Sequence, residues 1–90
     1  MNMISVEQVV HSNIRKLMSE SKKSVTIENT MRLSEDLGFA SIIQVGLFTN
    51  LTEAFEVDIL QFEDEELIGL KTVGDIIRLF ARKTSQPVSP

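Results

Sequence analysis

SEDLGFASIIQVGLFTNLTEAFE, residues 34–56, decides how the chain is read. From Ser41 onward Ile42, Val45, Phe48, Leu51 and Phe55 recur at helical spacing, which predicts a helix beginning near Ser41 and ending at Phe55 or Glu56 with that stripe turned inward. Ser41 and Gln44 form a Ser-x-x-Gln pair, the pattern of a capping box. Gly46 falls inside the helix, where it costs about 1 kcal/mol relative to Ala, so either something packs closely there or the helix bears the loss.

Upstream, Val6, Val9, Val10, Ile14, Leu17 and Met18 mark one stripe of a first helix, expected from Ser5 as N-cap to about Glu20. Ser19, Ser21 and Ser24 then break the period, because their hydroxyls compete for backbone partners. Residues 21–39 read as a connection longer than the about 12 to 15 residues usual for a structureless loop, so Val25, Ile27, Met31 and Leu33 are expected to pack on the core.

Downstream, residues 57–62 are too short to pair as a sheet alone, and a short helix is expected at 63–68, stopped by Gly69. A last helix starts at Thr72, with Asp75 as capping-box partner and Val73, Ile76, Ile77 and Phe80 facing inward. The fold class is therefore all-α: a small four-helix bundle with a long loop between its first and second helices. One domain spans residues 1–83, and TSQPVSP at 84–90 is expected to be a flexible tail.

Ninety residues allow one hydrophobic core, and 42% apolar with 24% charged residues is ordinary globular composition. The absence of Cys excludes disulfides, thiolate chemistry and Cys-based zinc sites. A lone His11 excludes a multi-His metal or catalytic set within one chain and reads as a flank residue of the first helix. No stretch approaches the about 20 apolar residues of a membrane span, so a soluble, cytoplasmic protein is expected, without membrane partners. Charge is segregated within a net −4: residues 34–70 hold nine acids and no base. Such a block repels nucleic acid, whose phosphates need Lys or Arg, and steers basic protein surfaces toward it. It would also serve simply to keep a small protein soluble.

SEDLGFASI at 34–42, the helix behind it, FEDEEL at 62–67 and LKTVGDIIRLF at 70–80 together resemble the acyl carrier and peptidyl carrier protein family. The family's hallmark is an Asp-Ser-Leu triplet after a Leu-Gly turn at the start of the second of four helices. Leu37 and Gly38 stand at the turn, Ser41 falls on the hallmark Ser, Ile42 replaces Leu, and Ala40 replaces the Asp. Val45, Leu47, Leu51, Phe55 and Ile59 fit the family's core pattern, and Leu70, Thr72, Val73 and Ile77 its final helix.

The resemblance implies a monomeric carrier rather than an enzyme. A phosphopantetheinyl transferase would attach 4'-phosphopantetheine from coenzyme A to Ser41, and the thiol of that arm would hold acyl groups as thioesters for fatty acid, polyketide or related biosynthesis. The positive end of a helix suits the phosphate. Acyl-loading and synthase enzymes with basic surfaces would meet the acids Glu53, Glu56, Glu63, Asp64, Glu65 and Glu66. Ile43, Gly46, Thr52 and Ala54 stand where the family often has acids, which leaves Ile42 and Ile43 as apolar contacts beside Ser41. Phe39, Phe48, Phe55, Phe62 and Phe80 are core candidates. Two other readings stand beside the carrier: an unmodified interaction module in which Ser41 only caps the helix, and a carrier whose modification Ala40 blocks.

Overall fold

A computed structural model describes residues 5–22 and 24–84, with Lys22 in its backbone alone; of the expected tail, 85–90 lie outside the described residues. Helix α1 is Val6–Leu17. Its N-terminus is closed by the expected Ser5: Gln8 N donates to Ser5 Oγ at 3.1 Å, and Ser5 N donates to Gln8 Oε1 at 3.2 Å. The helix stops earlier than its apolar stripe suggests. Met18 turns extended and donates its amide to Arg15 O at 3.2 Å, yet its side chain stays buried, so the stripe outlasts the helix.

The connection to the next helix includes a 3₁₀ turn, Glu20–Lys22, and then works as a strap. Ile27, Leu33, Leu37 and Phe39 are buried along it. Met31 is half-buried, and Val25, expected inside, is exposed, its carbonyl held at the surface by the Arg15 guanidinium at 3.3 Å. An isolated antiparallel bridge joins Arg32 to Thr72, with Leu33 N on Lys71 O at 2.9 Å. Helix α4, Val73–Thr84, then begins with amides satisfied by the strap: Val73 N donates to Met31 O at 3.0 Å and Gly74 N to Asn29 O at 2.8 Å. A Cβ on Gly74 would lie 3.0 Å from Asn29 O, so glycine permits this approach.

Helix α2 is Ser41–Phe55 and α3 is Asp64–Ile68; a 3₁₀ turn, Ile59–Gln61, lies between them. Helix α3 starts one residue later than expected because Glu63 is its N-cap, paired with Glu66 in a capping box. Thr72 likewise caps α4 rather than beginning it: Asp75 N donates to Thr72 Oγ1 at 3.1 Å and Thr72 N to Asp75 Oδ2 at 3.0 Å. Burial raises the Asp75 carboxyl, but bonds from the Lys71 and Thr72 amides, the Thr72 side chain and Arg78 outweigh it and hold its pKa below the ordinary value. The last helix ends with Thr84 Oγ1 donating to Phe80 O at 2.8 Å.

Helix α1 packs on α2 and α4 around Val10, Ile14, Leu47, Leu51, Val73, Leu79 and Phe80, all nearly inaccessible. Phe80 is the hub of the aromatic group: its ring lies 5.2 Å from Phe55, 5.5 Å from Phe62 and 5.7 Å from Phe48, between centroids. Phe48, whose ring also lies 4.9 Å from that of Phe62, and Phe55 are only half-buried. Ile77, expected inside, is also half-buried, and Leu79 takes the inner position. Among the described residues no strand occurs, and no helix is long and apolar enough to cross a membrane. The described residues form a small helical bundle of four helices, as the sequence implies.

Candidate functional site

The approach to α2 is a tight turn built on the strap. Arg32 N donates to Asp36 Oδ2 at 2.7 Å, while Asp36 N and Leu37 N both donate to Arg32 O at 3.1 Å. Gly38 has φ 72°, the left-handed region where a side chain would be strained, and so reverses the chain. The buried Leu37 and Phe39 anchor either side of it, and Phe39 N donates to Leu33 O at 2.9 Å.

The helix begins at Ser41, as expected, but Ser41 is not its cap. Ala40, with φ −68° and ψ 166°, is the N-cap and offers no side-chain bond. Ser41 is therefore the first helical residue, and the Ser-x-x-Gln capping box does not form: with helical backbone, Ser41 Oγ no longer faces the orphan amides. Gln44 instead donates through Nε2 to Phe39 O at 2.9 Å. Ser41 is exposed, and among the described residues its hydroxyl makes no hydrogen bond. Ile43 N and Gln44 N donate to Ala40 O at 2.9 and 3.0 Å, while the amides of Ser41 and Ile42 have no backbone acceptor among the described residues. No acid occupies the first turn of α2, so the positive end of its dipole is left open.

Ser41 also lines an apolar cavity of about 400 Å³, together with Val45, Phe48, Ile59, Leu67 and Leu70. Leu33, Leu47, Leu51 and Ile76 close its inner side. The stripe expected to face the core is thus split. Leu51 is buried, but Ile42 and Val45 are 73% and 60% exposed, and Leu47 and Thr52 take the inward positions. Ile59 is 53% exposed as well, although its pattern suggested core. Sequence reasoning missed the cavity; the available signal was the surplus of apolar residues on α2, more than one helix face can bury. A second, polar cavity of about 510 Å³ lies beyond Gln44, against Arg32, Glu35, Lys71 and Asp75.

The acids are dispersed over two elements. Glu53 and Glu56 are exposed at the C-terminal end of α2, where Glu56 adopts φ 57° and closes the helix. Glu63, Asp64 and Glu65 are exposed at the start of α3. Glu66 is half-buried and engaged: it accepts from Glu63 N at 2.9 Å and pairs with Lys83 at 3.1 Å and Arg82 at 3.4 Å. The bond from Glu63 N, followed by Lys83, holds its carboxyl below the ordinary range. Lys83 also donates to Gln61 O at 2.9 Å and lies 5.3 Å from the centre of the Phe62 ring. Ile42 stands free beside Ser41, whereas Ile43 is half-buried against the core and offers little apolar surface to a partner. His11 Nε2 donates to Asn29 Oδ1 at 2.8 Å, and Asn29 in turn donates to Glu7, which makes the histidine part of a surface network. Among the described residues no cluster of three or more His, Cys, Asp or Glu side chains could hold a metal.

No protein-family model matches the sequence. The chain is 32% identical over 78 residues to an acyl carrier protein of Desulforapulum autotrophicum, an alignment covering 83% of this chain and 97% of that protein. Its fold superposes on the solution structure of a candidate acyl carrier protein from Anaplasma phagocytophilum with a TM-score of 0.72 and 26% identity, covering 97% of this chain and 99% of the other. Each alignment spans more than four fifths of this chain. The chain belongs to the acyl carrier protein family.

Proposed function

We propose that this chain is a cytoplasmic carrier that bears 4'-phosphopantetheine on Ser41 and presents acyl thioesters to enzymes of fatty acid, polyketide or related biosynthesis. The observation that supports it most is the exposed, unbonded Ser41 hydroxyl on the first turn of α2, beside an apolar cavity of about 400 Å³. The residues present fit the group. The hydroxyl is free to form an ester, the neighbouring Ser41 and Ile42 amides are open to phosphate oxygens, and no acid on the first turn repels them. The arm would supply a terminal thiol for the thioester. The chain itself supplies an attachment point and an apolar recess.

In the attachment step, Ser41 Oγ bonds to phosphorus as the phosphoanhydride of coenzyme A breaks; 3',5'-ADP departs, and the hydroxyl proton passes to a base on the transferase. Exposed Ile42 at the start of α2, and separately Glu53 and Glu56 at its end with Glu63, Asp64 and Glu65 at the start of α3, would meet apolar and basic surfaces on the transferase and on acyl-loading or synthase enzymes. Ala40 removes one acid from that encounter without altering the nucleophile.

The test is incubation with coenzyme A, magnesium and a broad-specificity phosphopantetheinyl transferase, followed by intact and peptide mass spectrometry. A single phosphopantetheine increment on Ser41, absent from Ser41→Ala, is expected. Label on another serine, or none under conditions that label a control carrier, overturns the reading in favour of an unmodified interaction module.

A further inference from the structure

We infer that Gln44 positions Ser41 for modification by tying the first turn of α2 to the anchored stretch before it. This rests on the reading of Ser41 as the attachment site. Helices α1, α3 and α4 each begin with a reciprocal pair three residues apart: Ser5 with Gln8, Glu63 with Glu66, and Thr72 with Asp75. Helix α2 cannot, because Ala40 has no acceptor to offer.

What crosses its junction instead is the bond from Gln44 Nε2 to Phe39 O, at 2.9 Å and partly shielded from water. Phe39 is a fixed point, since its ring is 3% exposed and its amide is held by Leu33 O. The backbone bonds from Ile43 and Gln44 reach back only to Ala40. The glutamine side chain therefore sets the angle at which the helix leaves the turn at Gly38, and with it the direction of Ser41 Oγ.

The chemistry of the tie differs from that of a cap. A capping side chain at residue 40 would accept from the amides of Ile42 or Ile43 and so compete with a phosphate for them. Gln44 spends a donor on a carbonyl, leaving the Ser41 and Ile42 amides open. Its side chain also lines the cavity beside Ser41, so the tie is placed where an arm on Ser41 would turn inward.

Two variants test this. Gln44→Leu removes the donor at similar size; Gln44→Glu keeps the shape and sets a carboxylate against the Phe39 carbonyl. With transferase, coenzyme A and magnesium, kcat for labelling Ser41 is expected to fall about tenfold in both, with KM changed less than about twofold, since orientation is lost while the docking surface remains. Circular dichroism checks that each variant is folded; should Gln44→Leu unfold, Gln44→Glu decides. Backbone ¹⁵N relaxation supplies a readout free of the transferase, and the Ser41 amide is expected to be less ordered in both variants. If the native chain is labelled and the variants match its kcat, the positioning role is wrong and the attachment site stands. If the native chain is not labelled at all, the attachment reading fails, and unchanged Ser41 order in the variants overturns the positioning role separately.

Discussion

Replacing Gly46 with alanine should make the protein more stable. Gly46 lies inside α2, and a Cβ built on it meets nothing within 4 Å, so the substitution introduces no clash. The remaining effect is conformational: glycine loses more backbone freedom on folding, and Gly→Ala at a compatible position stabilises by about 0.4–1 kcal/mol. A domain of this size moves by about 4–8 °C in Tm per kcal/mol, so the expected rise is about 2–8 °C. Thermal and urea unfolding followed by circular dichroism measure it, with an unchanged urea slope showing that the surface exposed on unfolding is the same in both proteins. Gly38→Ala is the opposing control, because φ 72° there costs an L-residue roughly 1–2 kcal/mol and should lower Tm. A Gly46→Ala protein that is no more stable than the native chain would refute the reasoning, since it would mean that this part of α2 is not open.

Phe80→Ala should cost about 3–5 kcal/mol, because it removes the ring on which Phe48, Phe55 and Phe62 converge; a loss below about 1 kcal/mol in urea titrations would show that those rings close the gap. Reversing Asp64 and Glu65 to Lys, which avoids the capping pair Glu63 and Glu66, should slow association with a basic partner enzyme several-fold at low salt, and less at high salt. Equal stopped-flow on-rates would reduce these acids to a solubilising surface. Asp75 has a lowered pKa in the folded chain, so the unfolded state binds its proton more readily and stability rises with pH through this window. Its contribution is present above its ordinary value of 3.8 and is lost as pH falls through the lower folded value; the Tm difference between the native chain and Asp75→Asn should shrink there, and a gap that stays constant down to acid pH would be the contrary result.

Local chemistry made much of the bundle legible in the sequence. Ser5 as a cap, Thr72 with Asp75, Gly69 and the stripes of α1 and α4 each specify a helix boundary or face through interactions close in sequence, which residue type and spacing reveal. The same holds for Leu37-Gly38 and Ser41, whose place at the head of α2 follows from a turn and a helix adjacent in sequence. Helix α2 itself was harder to read, because apolar residues occur nearly all round it and periodicity cannot say which of Ile42, Val45, Leu47 and Leu51 finds a partner. Where α1, the strap and α4 come to lie decides that, and it leaves Ile42 and Val45 outside, Val45 at the cavity. Distance in sequence hid the rest: the strap carbonyls of Asn29 and Met31 on the amides of α4, and the cations of Arg82 and Lys83 beside Glu66 in an acid block that looked unopposed. The cap of α2 moved from Ser41 to Ala40 for the same reason, since buried Phe39 and its bond to Leu33 place the turn, and only the packed tertiary structure holds Phe39 there.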